Sequence, residues 1–133
     1  IKWNNVIKQN SVSEHVSAFW DFMPTIAEII GTDLPADIDG ISLLPELMGH
    51  GEQKKHNYLY WEFHENNGRQ AVRKDDWKAV RYDVLNNGKI ELYNLKDDVS
   101  EVNDLADEYP ELIAEIDSVM RCLRTESELF RFE

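Results

Sequence analysis

Residues 58 to 82 constrain this chain more than any other stretch: Tyr-Leu-Tyr-Trp-Glu-Phe-His-Glu-Asn-Asn-Gly-Arg-Gln-Ala-Val-Arg-Lys-Asp-Asp-Trp-Lys-Ala-Val-Arg-Tyr. The spacing predicts three short strands joined by two turns. From Tyr58 to Phe63 the side chains alternate, with Leu59, Trp61 and Phe63 on one face and Tyr60 and Glu62 on the other, as a half-buried strand requires. Glu65-Asn66-Asn67-Gly68 supplies turn chemistry, because Asn and Gly tolerate positive φ. Arg69 to Arg73 reads as the second strand and Lys74-Asp75-Asp76 as the second turn. In the third strand, Trp77 to Tyr82, Lys78, Val80 and Tyr82 oppose Trp77, Ala79 and Arg81. Asn86-Asn87-Gly88 makes a further turn, and Ile90 to Leu95 a fourth strand. Strands separated only by tight turns are antiparallel neighbours.

Pro110 suits the first position of a closing helix. Leu112, Ile113, Ile116, Val119, Met120 and Leu123 form its apolar stripe, and Glu111, Arg121 and Arg124 agree with the helix dipole. Cys122 reads as a small core or boundary residue of this helix. The tail from Glu126 either packs as an extension or frays. Ahead of the sheet, Ile1 to Ile7 reads as a strand. Phe19 to Ile30 reads as a helix capped by Asp21, with Phe19, Phe22, Met23, Ile26, Ala27 and Ile30 on one face and Gly31 at its end. Leu43 to Met48 is one helical turn or two, and Val102 to Ala106 a short helical turn. Gly49-His50-Gly51 is the best boundary. The fold class is therefore α+β: a four-stranded antiparallel sheet against a long C-terminal helix, preceded by a strand–helix–loop segment.

With 133 residues, 42% of them hydrophobic and 30% charged, the composition is that of a soluble globular chain. A net charge of −12 argues against nucleic-acid binding, which needs a basic footprint. No apolar run approaches a membrane span. One cysteine excludes an internal disulfide, and the four scattered histidines form no HxH or HExxH pair. Residues 64 to 82 are nonetheless a weakly basic island. His64, Arg69 and Arg73 are the candidate ligand-binding residues there, for a small anion; the alternative is a solvated hairpin end. No complete active site is legible from the residues alone.

The order of several short motifs is more specific. Ile1 to Val12 resembles the strand and turn "RWPGxIKPGSV" of the sulfatases, in the alkaline-phosphatase-like superfamily. Phe22-Met23-Pro24-Thr25-Ile26-Ala27-Glu28-Ile29-Ile30-Gly31 resembles their D-x-x-P-T-x-x-x-x-x-G helix, and Asp39-Gly40-Ile41-Ser42-Leu43-Leu44-Pro45 their D-G-x-S-L-x-P loop. Tyr60-Trp61-Glu62-Phe63, Ala71-Val72-Arg73, Asp76-Trp77-Lys78, Glu91-Leu92-Tyr93-Asn94-Leu95, Asp97-Asp98, Glu101-Val102-Asn103-Asp104-Leu105-Ala106 and Pro110-Glu111-Leu112 complete the resemblance to a sulfatase C-terminal part.

The resemblance implies that residues 1–50 end a large α/β catalytic domain, and that 51–133 are the C-terminal subdomain. It implies hydrolysis of a sulfated carbohydrate or aryl sulfate through a formylglycine and a divalent cation, usually calcium, both upstream of Ile1. No C/S-x-P-S-R motif occurs in the chain, so no catalytic residue and no metal ligand transfers to it. The resemblance also implies export (periplasmic, extracellular or lysosomal) and the upstream catalytic domain as partner. His64, Arg69 and Arg73 would line the substrate entrance. A phosphodiester or phosphonate hydrolase of the same superfamily, or a stand-alone interaction domain, are the alternatives. Without the upstream sheet, the helix at Phe22 to Ile30 would expose its apolar face, and the segment would fold back or pair with a second copy as a homo-oligomer.

Overall fold

The computed structural model describes residues 1–132, which divide into two compact units, Ile1–His56 and the stretch from Asn57 onward. No helix among the described residues is long and apolar enough to cross a membrane.

The first unit has two helices, α1 (Phe22–Ile30) and α2 (Leu44–Met48), with a 3-10 turn over Phe19–Asp21 leading into α1. The expected strand at Ile1 to Ile7 is not formed. Val6 and Ile7 both donate their N–H to the Trp3 carbonyl (3.2 and 3.0 Å), and Asn5 takes a positive φ of 62°, which turns the chain where a strand must run straight. Helix α1 begins after Asp21, as expected. It ends at Gly31, whose φ of 68° is left-handed and whose successor Thr32 donates back to the Ala27 carbonyl at 3.0 Å.

The apolar face of α1 lies open, as expected from the sequence. Pro24, Thr25 and Ala27 are the buried residues, whereas Phe19, Ile26 and Ile30 are 86%, 54% and 67% exposed. Periodicity finds the apolar stripe of a helix but not what covers it.

The second unit is a meander in the order β1-β2-β3-β4: β1 (Leu59–Phe63), β2 (Arg69–Lys74), β3 (Trp77–Tyr82) and β4 (Ile90–Asn94), all neighbours antiparallel. The first hairpin turns through Asn66, Asn67 and Gly68 at φ of 55°, 63° and 81°, which is why Asn and Gly stand there. Helix α3 (Pro110–Leu123) has Pro110 in its first turn, as expected.

Register decides which residues α3 covers. Tyr60, Val72, Ala79 and Leu92 are successive cross-strand partners, so they share a face. Val72, Ala79, Ile90 and Leu92 form the core with Ile116 and Met120 of α3, and Tyr58, Tyr60 and Trp77 pack at its margin. Complete burial of side chains such as Ile116 and Met120 is worth roughly 1.5–3 kcal/mol each. Trp61 and Phe63 lie on the other face. Cys122 is exposed on α3, which corrects the expectation of a core or boundary thiol.

The expected helical turn at Val102 to Ala106 is not formed either. Asp98 and Asp104 hold this loop by their side chains instead. Asp98 Oδ2 accepts from the N–H groups of Val102 and Asn103, both at 2.8 Å. Asp104 Oδ1 accepts from Leu92 and Ala106 N–H, both at 3.0 Å, and Leu105 N–H donates to the Leu92 carbonyl at 2.8 Å. Competition of this kind between Asp side chains and the backbone is what disfavours helix there.

Candidate functional site

In the first unit the polar centre is Asp21, which is fully buried. Its Oδ2 accepts from Ala18 N–H at 2.7 Å, and its Oδ1 from Ile41 N–H and His56 Nε2, both at 2.8 Å. An ionised carboxylate only accepts, so His56 presents Nε2–H to it. One turn on, Thr25 Oγ1 donates to the Asp21 carbonyl at 2.6 Å and accepts from Leu43 N–H at 2.8 Å. Asp21 and Thr25 thus pin the loop Ile41–Leu43 onto the start of α1. Gly40 lets this loop approach: a Cβ there would run into the Trp20 carbonyl and lie 2.9 Å from Pro24 Cγ. Gln53 secures the following segment, donating to the Ser42 carbonyl at 2.9 Å and accepting from Glu46 N–H at 3.1 Å. The D-x-x-P-T helix and the D-G-x-S-L loop are therefore two halves of one latch.

A groove of about 580 Å³ beside this latch is lined by Glu28, Asp33, Glu52 and Lys54 among others. Among the described residues no three His, Cys, Asp or Glu side chains gather to hold a metal ion.

In the second unit the three residues singled out from the sequence do not converge. His64 turns toward Glu62, its Nε2 3.0 Å from Glu62 Oε2, and its ring lies 5.6 and 5.4 Å from the rings of Phe130 and Phe132 in the tail. The tail therefore packs instead of fraying: Phe132 rests where a Cβ at Gly68 would be. Arg124 completes this cluster, with Nε 3.2 Å from Glu62 Oε1 and its guanidinium 4.9 Å over Phe132. Tyr60 donates to Glu62 and accepts from Gln70 Nε2 at 2.7 Å. Burial, and then the bond to Glu62, raise the Tyr60 hydroxyl pKa far above its ordinary value, so it remains a donor.

Arg69 lies on the opposite face. Phe63, Arg69 and Tyr82 are cross-strand partners, and the guanidinium carbon is 5.6 Å from both ring centroids. Arg73 shares that face four residues along β2, about 13 Å away at the strand rise, with its Nε donating to the Asp75 carbonyl at 3.1 Å. Sequence reasoning missed Asp21 as a hub and missed His56 altogether, because their partners are 20 and 35 residues distant from Asp21. The D-x-x-P-T and D-G-x-S-L motifs were the available signal.

The family described as N-sulphoglucosamine sulphohydrolase, C-terminal, matches residues 1–126. The chain belongs to this sulfatase family. Its sulfatase C-terminal region is 30% identical over 115 residues to an N-acetylglucosamine-6-O-sulfatase of Bacteroides thetaiotaomicron, covering 79% of this chain and 20% of that protein. It is 36% identical over 102 residues to a Delta 4,5-hexuronate-2-O-sulfatase of the same organism, covering 71% and 21%. Among solved structures, a 2-O GAG sulfatase superposes with a TM-score of 0.66 at 29% identity, covering 81% of this chain and 27% of that one. The sulfatase region thus spans about a fifth of the length of these curated relatives.

Proposed function

We propose that the chain is the closing part of a sulfuric ester hydrolase acting on a sulfated carbohydrate, with an aryl sulfate as the other substrate class. The match over residues 1–126 to a sulfatase C-terminal family carries this reading. The first unit would be the end of a larger α/β catalytic domain, and the second the C-terminal subdomain. His64, Arg69 and Arg73 would lie toward the substrate entrance, Arg69 and Arg73 on one sheet face and His64 under the tail. By its relatives the whole protein would be exported.

The formylglycine nucleophile and the calcium ion belong, in this reading, to the larger domain. The residues of this chain do not fit either group. There is no C/S-x-P-S-R motif, Cys122 is followed by Leu-Arg-Thr-Glu, and no three-ligand cluster exists among the described residues. To the bond-breaking step the chain would contribute support only: the Asp21 latch fixes α1, and the sheet presents the hairpin. The full-length protein should release sulfate from N-acetylglucosamine 6-sulfate or a related sulfated sugar, and the 133-residue chain alone should release none above background. Turnover by the chain alone, or a full-length protein active only on phosphate or phosphonate esters, would overturn the reading.

The exposed stripe on α1 supports a partner for the first unit. Phe19, Phe22, Met23, Ile26, Ile29 and Ile30 all leave two-fifths or more of their surface in water, and patches of this kind seek cover. The isolated chain should therefore self-associate. Light scattering should give a mass above that of one chain, reduced toward one chain by Ile26→Glu; a strict monomer before substitution would count against this role.

A further inference from the structure

We propose that Arg69, held between Phe63 and Tyr82, is the centre of a site for a sulfated sugar on the sheet face away from α3. The choice of sulfate rests on the sulfatase reading above. The first support is charge. Acidic residues outnumber basic ones 26 to 14, and in the second unit Lys74, Lys78, Arg81, Lys89, Arg121 and Arg124 each have a carboxylate within 4 Å. Arg73 and Lys96 share with Arg69 the lack of one among the described residues, but Arg73 spends its Nε on the Asp75 carbonyl and Lys96 has no aromatic ring among them to hold it. Arg69 has neither a carboxylate nor a hydrogen bond among the described residues; its contacts are the two rings. An arginine kept clear of acids in so acidic a chain is available to an anion from outside.

The second support is geometry. A guanidinium attracted to aromatic faces keeps its five N–H groups for other acceptors, and their planar fork matches two oxygens of a tetrahedral oxyanion. Both rings belong to strands, so the arginine is positioned by the cross-strand register and not by a loop. Phe63 and Tyr82 remain 48% and 44% exposed, which leaves apolar surface beside the cation for the C–H face of a sugar ring. The next residue of β2 on this face is Ala71, which stands between its cross-strand partners Trp61 and Val80. The nearest acid on the face in the register is Glu91, which lies beyond Val80 and accepts from the Tyr93 hydroxyl at 2.7 Å.

The test is a titration of the 133-residue chain, followed by NMR at the Arg69 side chain and the Phe63 and Tyr82 rings. The probe is N-acetylglucosamine 6-sulfate, with the unsulfated sugar and the 6-phosphate as comparators. Saturable shifts at these three residues are expected with the sulfate ester and not with the unsulfated sugar. Arg69→Gln should weaken binding at least tenfold and Arg69→Lys less, while Lys96→Gln, at an exposed lysine, should leave it unchanged. The spectrum of each variant reports directly whether it is folded. Equal response to the unsulfated sugar, wild-type affinity in folded Arg69→Gln, or no saturable shift would overturn the site. Tighter binding of the 6-phosphate would assign it to phosphorylated ligands and overturn the choice of sulfate. A null titration alongside an active full-length sulfatase would remove this site alone. An inactive full-length protein would remove the sulfatase reading and leave the titration standing.

Discussion

Asp21→Ala should destabilise the first unit by roughly 3–5 kcal/mol, the range found when one member of a buried polar pair is removed. The substitution would leave Ala18 N–H, Ile41 N–H and His56 Nε2 without their acceptor in a site where Asp21 itself has no exposed surface. An unpaired buried donor costs about 1–3 kcal/mol, and three in one site do not simply add. The measurement is amide hydrogen exchange at Ile41 and Leu43, whose N–H groups bond to Asp21 and Thr25. Both should lose protection together. Asp21→Asn keeps the shape but turns an amide NH₂ toward at least one donor, so it should fall between wild type and alanine. Wild-type protection in Asp21→Ala would mean that the latch does not hold the loop.

The second large effect is expected at Asp117 on α3. Arg81 on β3 is buried and ion-paired to Asp117, which also accepts from Arg121. The Arg81 Nε already lacks a hydrogen-bond partner. Asp117→Ala would leave a buried guanidinium without its counter-charge, at a cost of about 3 kcal/mol. Replacing both members, Arg81→Met with Asp117→Leu, should recover most of that loss, because two apolar groups need no partner.

A pH dependence accompanies this pair. Burial opposes ionisation of Asp117, but hydrogen bonds from Arg121 and Arg81 outweigh it and hold the carboxyl below its ordinary value. A depressed carboxyl contributes its stability above the unfolded-state pKa of about 3.9 and loses it as pH falls through the folded value. Urea midpoints should therefore drop on acidification below about pH 4, and the drop should be smaller in the double variant. Equal slopes in the two proteins would refute the assignment.

Much of the second unit was legible from residues. Alternation and turn chemistry located β3 at its observed bounds, and Pro110 with the Leu112–Leu123 stripe located α3. Both signals are local, and local signals survive in a sequence read alone. The unread part depends on distant partners. Asp21 looks like an ordinary cap of α1, yet its side chain makes no capping bond to that helix and serves Ala18, Ile41 and His56 instead. The stripe of α1 was found, but its cover does not lie among the residues that bury Pro24, Thr25 and Ala27. At the hairpin, nearness in sequence suggested one site for His64, Arg69 and Arg73. Strand alternation separates Arg69 and Arg73 from the face on which Glu62 and the tail hold His64.

The loop held by Asp104 has a consequence for the sheet's behaviour in a crowded solution. A meander ends in two unpaired strand edges, and such an edge is a template on which another chain can add a strand. On the β4 side that template is already occupied. Leu92 spends its N–H on Asp104 and its carbonyl on Leu105, so an incoming strand finds no free pair at the middle of β4. Burial works against ionisation of Asp104, but the Leu92 and Ala106 N–H groups and Lys89 together keep its carboxyl below the ordinary value, so the plug persists into mild acid. Growth by strand addition is thereby steered away from β4 toward the five-residue edge of β1, where Glu62 would have to be stripped of Tyr60, His64 and Arg124 before its strand could shift register.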